Sequence, residues 1–168
     1  ALRSFGDVEE GDIGGFIESE KNLSHEGNCW VSGDARVFGN ARVYDDAWVS
    51  GNAWVYGNTL VYDDAWVSGT AIVSGDAVVA ENAEVYGNAF VRGNARVSGN
   101  ARVYENAIVS GNARVFGNAF VSGNTHLTED APTSDAAKIL ENLLDSPVES
   151  LTMDGITYKK TAAKWERA

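Results

Sequence analysis

A period of six residues runs through most of this chain and limits what it can fold into. Valine occupies every sixth position from 31 to 121, and Leu127 takes the next place in the series. A small residue, usually alanine, stands two positions before each of them. The nine residues VYDDAWVSG at 43–51 recur unchanged at 61–69, so the sequence also repeats at 18 residues, which is three sixes. A short, fixed period of this kind indicates a solenoid.

Each six-residue unit predicts one short strand followed by one turn. The order small-x-Val alternates as a half-buried strand does, and the following pair, usually Gly-Asn, favours a turn. Gly and Asn adopt the left-handed backbone conformation at low cost, so a turn can recur every six residues. Three such turns close one triangular coil of 18 residues. The pattern therefore predicts an all-β solenoid.

The six-residue unit resembles the transferase-type hexapeptide repeat over residues 29–131. Members of that family form triangular, left-handed parallel β-helices, and the left hand is implied by the resemblance alone. The sub-pattern GNARVxGNA, preceded by GDIGGFIESEKNLSHEGNCWV, is similar to bacterial and phage-encoded members that do not look like enzymes. For this chain the resemblance implies a non-catalytic scaffold. It further implies that the scaffold is a phage-encoded accessory or inhibitor that docks on a host protein.

The chain divides into three expected segments, of which residues 1–28 are out of phase with the valines and predict an N-terminal cap. Within the cap, Ile17 and Leu23 align with the small-residue positions. The first open coil needs a cover, and the cap supplies the apolar residues Leu2, Phe5, Val8, Ile13 and Phe16. Residues 29–131 then predict the β-helix itself, with five to six coils and no insertion.

Residues 132–168 follow the repeats and predict a different local structure. The stretch 134–146 has the pattern of a short amphipathic helix. Asp154 and Gly155 lie between two alternating apolar runs, which predicts a β-hairpin. The chain has neither a signal-peptide pattern nor an apolar run of about 18 residues, so we expect a soluble, cytoplasmic protein without a membrane partner, in the host cytoplasm if a phage encodes it.

The net charge of −11 is concentrated in the first half of the chain. Residues 1–84 hold 15 acidic and 4 basic residues, whereas residues 85–168 hold 9 of each. Phosphate contacts need clustered Lys and Arg, so this distribution argues against direct binding of nucleic acid. It favours a protein partner with a basic surface.

One corner of the predicted coils carries an unusual number of acidic residues. This acidic corner consists of Asp45, Asp46, Asp63, Asp64 and Glu81. Aromatic residues flank it, namely Tyr44, Tyr62, Trp48 and Trp66. We expect these nine residues to bind the basic partner through salt bridges and cation–π contacts. Two alternatives stay open: a solvated corner, because Asp is a good turn former, and a divalent cation such as calcium.

The outward positions define three faces, each read at every eighteenth residue. The first face carries Trp30, Trp48, Trp66, Glu84, Arg102 and Phe120. The second carries Arg36, Trp54, Ile72, Phe90, Ile108 and His126, and the third Arg42, Leu60, Val78, Arg96 and Arg114. Apolar patches of this kind mark interfaces. We therefore expect a homo-oligomer, a trimer or a dimer, in which a neighbouring copy or the 134–146 helix buries Trp54, Ile72, Phe90 and Ile108.

An enzyme is the alternative to a scaffold. In the acyltransferase relatives a histidine acts as general base, but this chain has two histidines, His25 and His126. They lie too far apart in sequence for a local motif, and two histidines exclude a three-histidine metal site within one chain. The single cysteine, Cys29, is expected to be a buried, inert thiol. The sequence thus predicts no cofactor and no catalysis, with an acyltransferase whose sites form between subunits as the alternative.

Overall fold

The structure is a computed structural model that describes residues 1–128 and, beyond them, the backbone of strands Ser150–Met153, Ile156–Lys160 and Trp165–Arg167. It is an all-β parallel solenoid of about six coils with about 18 residues each. Strands one coil apart pair in parallel, as Trp48 does with Trp66. The predicted solenoid is confirmed, while its left hand stays an implication of the family resemblance.

Each predicted face is one parallel sheet of two-residue strands. The first face has six strands: Trp30–Val31, Trp48–Val49, Trp66–Val67, Glu84–Val85, Arg102–Val103 and Phe120–Val121. The second has seven: Phe16–Ile17, Arg36–Val37, Trp54–Val55, Ile72–Val73, Phe90–Val91, Ile108–Val109 and His126–Leu127. The third has five: Arg42–Val43, Leu60–Val61, Val78–Val79, Arg96–Val97 and Arg114–Val115.

The core consists of the valine and small-residue ladders, which point inward from all three faces. Ala65 and Val67, for example, are fully buried. Thr59 takes an alanine position, and its buried hydroxyl donates to the carbonyl oxygen of Tyr56 at 2.7 Å. Cys29 is buried as predicted, and burial raises the pKa of its thiol, so the reactive thiolate is disfavoured.

Backbone hydrogen bonds join the coils at the corners as well as along the strands. On the first face, the backbone amide of Trp48 donates to the carbonyl oxygen of Ala65 at 2.9 Å. At a corner, the backbone amide of Asn52 donates to the carbonyl oxygen of Gly69 at 2.7 Å. Gly69 has a φ of +68°, and a Cβ atom there would lie 2.8 Å from the backbone nitrogen of Gly87. Conformation and close approach therefore both require glycine at this position.

Asparagine side chains add a second set of bonds between coils. At the turn position after the glycine, most asparagine side-chain nitrogens donate to the side-chain oxygen of the residue one coil further on, and Asn58 donates in this way to Asp76 at 2.8 Å. We call these rows asparagine ladders. Their rungs measure 2.9–3.3 Å and join Asn40 to Asn58, Asn82 to Asn100, Asn100 to Asn118, Asn88 to Asn106, Asn106 to Asn124 and Asn94 to Asn112.

The repeat changes register near the start of the solenoid. Ile17 lies opposite Val37 and Leu23 opposite Val43, each twenty residues apart, whereas from Trp30 onward the spacing is 18. The prediction that Ile17 and Leu23 occupy small-residue positions is therefore wrong. Two additional residues in the turn before Trp30 shift the phase, and both side chains pair with valine positions instead.

The cap uses fewer apolar residues than the sequence suggests. Val8 is buried, and the Phe5 ring contacts the Trp30 ring edge to face at 5.9 Å. The predicted cover is wrong for three residues, because Leu2, Ile13 and Phe16 are 83%, 96% and 58% exposed. The prediction relied on hydrophobicity alone. The N-terminal segment instead contacts the coil through other residues, such as Phe5 and Val8.

Polar groups close much of the first coil. A 3₁₀ turn at Glu20–Asn22 places the side-chain amide of Asn22, which is fully buried, against the first coil. Its nitrogen donates to the carbonyl oxygens of Gly39 and Ala41 at 3.0 and 2.8 Å, and its oxygen accepts from the backbone of Ser19 at 2.8 Å. Asn22 thus satisfies carbonyl groups that an open coil would leave unpaired.

Beyond the solenoid, strands Ser150–Met153 and Ile156–Lys160 pair antiparallel with Met153 opposite Ile156, as expected for the hairpin. Its turn residues, Asp154 and Gly155, and the predicted 134–146 helix lie outside the described residues. A third strand, Trp165–Arg167, which the sequence did not predict, pairs with the second. In the part of the chain that the structure describes, no helix has the length and hydrophobicity needed to cross a membrane.

Candidate functional site

The acidic corner departs from the repeat at its first turn position. Asp45, Asp63 and Glu81 stand where most turns have glycine, and their φ angles are +56°, +57° and +59°. Glu105 is the one other non-glycine residue with a positive φ in the described part of the chain. A left-handed L-residue costs about 1 kcal/mol, somewhat less for Asp. Three successive coils therefore accept a local conformational cost at this corner.

The second turn position of the same corner interrupts an asparagine ladder. Asp46 and Asp64 replace asparagine there, and an ionised carboxylate accepts hydrogen bonds but donates none. The rungs from 46 to 64 and from 64 to 82 are consequently missing, and the ladder begins only with Asn82 and Asn100. Asp46 still accepts a bond from the backbone of Asn28 at 2.9 Å.

The negative charge of the acidic corner has no basic counterpart in residues 1–128. The one ion pair in that range joins Arg102 to Glu84 at 3.2 Å on the first face. Arg3 lies one coil below the corner, where it donates to the side-chain oxygen of Asn28 at 3.1 Å. Asp63 accepts from the backbone nitrogen of Glu81 at 3.1 Å. The carboxylates are thus met mainly by backbone amides and by solvent.

Two tyrosines flank the acidic corner in a parallel stack. The rings of Tyr44 and Tyr62 lie 4.9 Å apart with an interplanar angle of 5°. Burial, then the neighbouring Tyr62 and then the carboxylates of Asp45 and Asp63 raise the pKa of Tyr44 above its usual 10.0. The hydroxyl is thus protonated well into the alkaline range and can donate a hydrogen bond to a partner.

The tryptophans lie on the adjoining first face. The rings of Trp48 and Trp66 are 6.5 Å apart and tilted by 60°, and Trp66 is 51% exposed. The indole nitrogen of Trp66 donates to the hydroxyl of Ser50 at 3.2 Å, and Ser50 lies at the opposite end of this face from the acidic corner. The indole therefore offers its ring surface, and its N–H is already used. Sequence spacing did not reveal this bond.

The four predicted interface residues form one continuous apolar row on the second face. Trp54, Ile72, Phe90 and Ile108 are consecutive register partners. Trp54 and Phe90 are 42% and 39% exposed, and the guanidinium of Arg36 lies 5.5 Å from the Trp54 ring centre. We call this row the second-face ridge. A neighbouring copy that covers it stays a prediction.

Sequence reasoning missed a pair of residues near the end of the solenoid. The hydroxyl of Ser110 lies 2.8 Å from the Nε2 atom of His126, and Ser110 is buried. The signal in the sequence is a spacing of 16, which brings the residue after one valine next to the outward residue of the following coil. Among residues 1–128, no acidic group bonds to the other ring nitrogen, and no cluster of three or more potential metal ligands occurs.

Comparison with known families agrees with the repeat architecture. A family model described as the YdcK beta solenoid repeat matches residues 30–45, 35–51, 41–57, 95–111 and 109–123. Together these matches cover about a third of the chain. No curated protein matches it. The family match and the fold together support a repeat β-helix protein, which fits a structural or interaction module.

Proposed function

We propose that this protein is a non-catalytic interaction module that docks on a basic protein surface through the acidic corner and its aromatic flanks. The observation that carries the proposal is the replacement of asparagine by Asp46 and Asp64. Elsewhere the same turn position builds ladder rungs that bind one coil to the next. At the acidic corner the chain forgoes two rungs and gains two exposed negative charges.

Electrostatics favours a basic partner. Stacked coils place like charges about 5 Å apart, which is unfavourable unless cations approach. A Lys or Arg side chain between Asp46 and Asp64 relieves this repulsion, and an arginine can bind a carboxylate through two hydrogen bonds. The exposed ring of Trp66 offers a face for cation–π contact beside the charges.

The regular spacing of the charges suggests what docking achieves. Carboxylates repeated along a rigid corner offer a basic nucleic-acid-binding surface some of the charge pattern of a phosphate backbone. We therefore propose that binding blocks such a surface and inhibits the partner. A phage-encoded inhibitor of a host protein is the form of this function that the sequence resemblance implies.

The test compares what the protein captures before and after charge reversal. Tagged wild type and the Asp46→Lys plus Asp64→Lys variant are purified from cell extract, and their bound proteins are quantified by mass spectrometry. Asp34→Lys plus Asp76→Lys is the matched control, because it reverses two charges at the same turn position of the other corners. We expect one basic protein to be lost with the first pair and kept with the second.

A third variant combines Asp46→Lys and Asp64→Lys with Trp48→Ala. If it still binds that protein, the acidic corner is a solvated surface and not a binding site. Calcium, the rival ligand, is tested on wild type by thermal unfolding. We expect its melting temperature to change little with calcium, because the corner has too few ligands arranged around one centre.

A second proposal concerns assembly, since the second-face ridge is a continuous apolar surface. We propose that a second or third copy of the chain covers it, as interfaces between identical subunits are more apolar than the rest of a surface. Light scattering on the full chain tests the oligomeric state. The expected result is a dimer or trimer.

An acyltransferase-like enzyme is the alternative function, and the Ser110–His126 pair is the observation that favours it. A histidine hydrogen-bonded to a hydroxyl can act as a general base. Ser110 is buried, however, and lacks the exposure expected of a nucleophile. A coenzyme A thermal-shift titration with His126→Ala and His25→Ala decides between the two functions, and a clear shift that either change abolishes would favour the enzyme.

A further inference from the structure

A row of residues beside the acidic corner contains a gap between aromatic rings. The positions directly after the valines read, one coil at a time, Tyr44, Tyr62, Ala80, Ser98 and Phe116. The first two rings stack, and two coils with small side chains follow before Phe116, which is 39% exposed. The equivalent rows at the other corners each hold one block of rings. The acidic corner is therefore the place where rings stand on both sides of a gap.

The gap is a cleft of about 380 Å³. Ala80 and Ser98 lie along its floor, and Tyr62 and Phe116 line its two ends. Three coil steps of roughly 4.8 Å separate these ends, so about 10 Å stay free after the thickness of the rings is subtracted. This length accommodates a flat ring system, and the volume lies within the usual range for small-molecule sites.

Two arginines supply a positive wall on one side of the cleft. Arg96 and Arg114 are register partners on neighbouring strands of the third face, and both line the cleft. Neither guanidinium makes an ion pair or a hydrogen bond within residues 1–128. Two adjacent guanidinium groups repel each other, and a shared phosphate or carboxylate relieves the repulsion.

The charges also fix the orientation of a ligand. Glu81 lines the cleft near the Tyr62 end, whereas Arg114 and Phe116 belong to the same coil at the other end. An anionic group is therefore repelled from the Tyr62 end and attracted to the Phe116 end. The cleft thus offers an aromatic ring at each end and anion binding at the Phe116 end.

We infer that this cleft binds a small planar aromatic molecule that carries a phosphate or carboxylate group. Its ring lies in the gap above Ala80 and Ser98 and packs against Phe116, and its anionic group is held by Arg96 and Arg114. The cleft shares Tyr62 and Glu81 with the surface assigned to the protein partner, but it does not include Asp46 and Asp64, on which the proposed docking function rests. Its failure would therefore leave the proposed docking function untouched.

Calorimetric titration with three probes separates the two parts of the inference. Phenyl phosphate carries both the ring and the anion, phenol carries the ring alone, and inorganic phosphate carries the anion alone. We expect phenyl phosphate to bind the wild-type chain at least about tenfold more tightly than either fragment. Equal binding of phenyl phosphate and inorganic phosphate would overturn the inference, because the rings would then contribute nothing.

Variants locate the binding. Ser98→Tyr places a ring in the gap and should reduce phenyl phosphate affinity at least about tenfold, as should Arg96→Gln with Arg114→Gln. Ser68→Tyr is the matched control, because it extends the ring row that contains Tyr86 at another corner and should leave affinity unchanged. Unaltered melting temperatures verify folding. Undiminished binding by the folded Ser98→Tyr variant would overturn the assignment.

A last comparison identifies the source of the aromatic anion. A short peptide with a central phosphotyrosine is titrated beside phenyl phosphate. A peptide that binds at least about tenfold more tightly indicates a modified protein residue, and equal or weaker peptide binding indicates a free small molecule. Absence of binding by both probes overturns the inference.

Discussion

Neutralising the acidic corner should make the protein more stable. Asp46→Asn together with Asp64→Asn replaces two carboxylates with amides in line with Asn82. The new amide at 46 can donate to that at 64, which in turn can donate to Asn82. The bond that Asp46 accepts from the backbone of Asn28 is kept, because an asparagine oxygen accepts it equally well.

The existing rungs of the same corner set the size of the effect. They measure 3.2 Å from Asn82 to Asn100 and 3.0 Å from Asn100 to Asn118. An exposed hydrogen bond of this kind contributes about 0.5 kcal/mol, at the lower end of measured values. Two rungs and the removal of one like-charge contact then give about 1.5 kcal/mol. For a chain of this length that raises the melting temperature by roughly 3 to 6 °C.

Thermal and urea unfolding of wild type and the double variant measure this gain. Asp7→Asn is the control for charge, because it removes a negative charge outside any ladder. Asp76→Asn is the control for rungs, since it adds a donor toward Asn94 at a different corner and should give about half the gain. A double variant no more stable than Asp7→Asn would refute the argument that the two aspartates interrupt a stabilising ladder.

Three further outcomes follow from the fold. Val67→Asp should destabilise the protein by at least about 3 kcal/mol, because it buries an unpaired carboxylate, and Ser68→Asp should change stability little; equal urea midpoints would mean that the inward face is misassigned. The unfolded chain releases the Tyr44 proton at a lower pH than the folded chain, so unfolding free energy should fall as pH rises above 10.0, with a smaller fall for Tyr44→Phe in alkaline urea titrations. Ile72→Lys with Ile108→Lys should convert the oligomer to monomer in light scattering, whereas a wild-type monomer whose stability the pair leaves unchanged would contradict the interface.

Much of the solenoid could be predicted because every coil repeats the same six-residue pattern of a small residue, a valine and a turn. A valine at every sixth residue determines which side chains point inward, and the resulting register places Trp54 beside Ile72 without further information. The same 18-residue spacing places the residues of the acidic corner along one edge of the solenoid. Prediction failed where the period is broken, because the two additional residues after Leu23 could not be placed from hydrophobicity alone.

Features that depend on side-chain reach were also beyond the sequence. The bond from Trp66 to Ser50 follows from an indole rotamer, and no residue pattern encodes it. The buried amide of Asn22 appears in the sequence as one polar residue among many. The cleft between Tyr62 and Phe116 exists because Ala80 and Ser98 have no rings. This gap is evident only when the coils are stacked and the four residues fall in one row.

We propose that Asp46 and Asp64 serve binding at the expense of stability. The most direct measurement is the affinity of wild type and of the Asp46→Asn plus Asp64→Asn variant for the partner recovered by affinity purification, determined by surface plasmon resonance on the samples used for unfolding. We predict that the variant melts higher and binds about tenfold more weakly, since two salt bridges are lost. A variant that melts higher and binds the partner as tightly as wild type would contradict the claim.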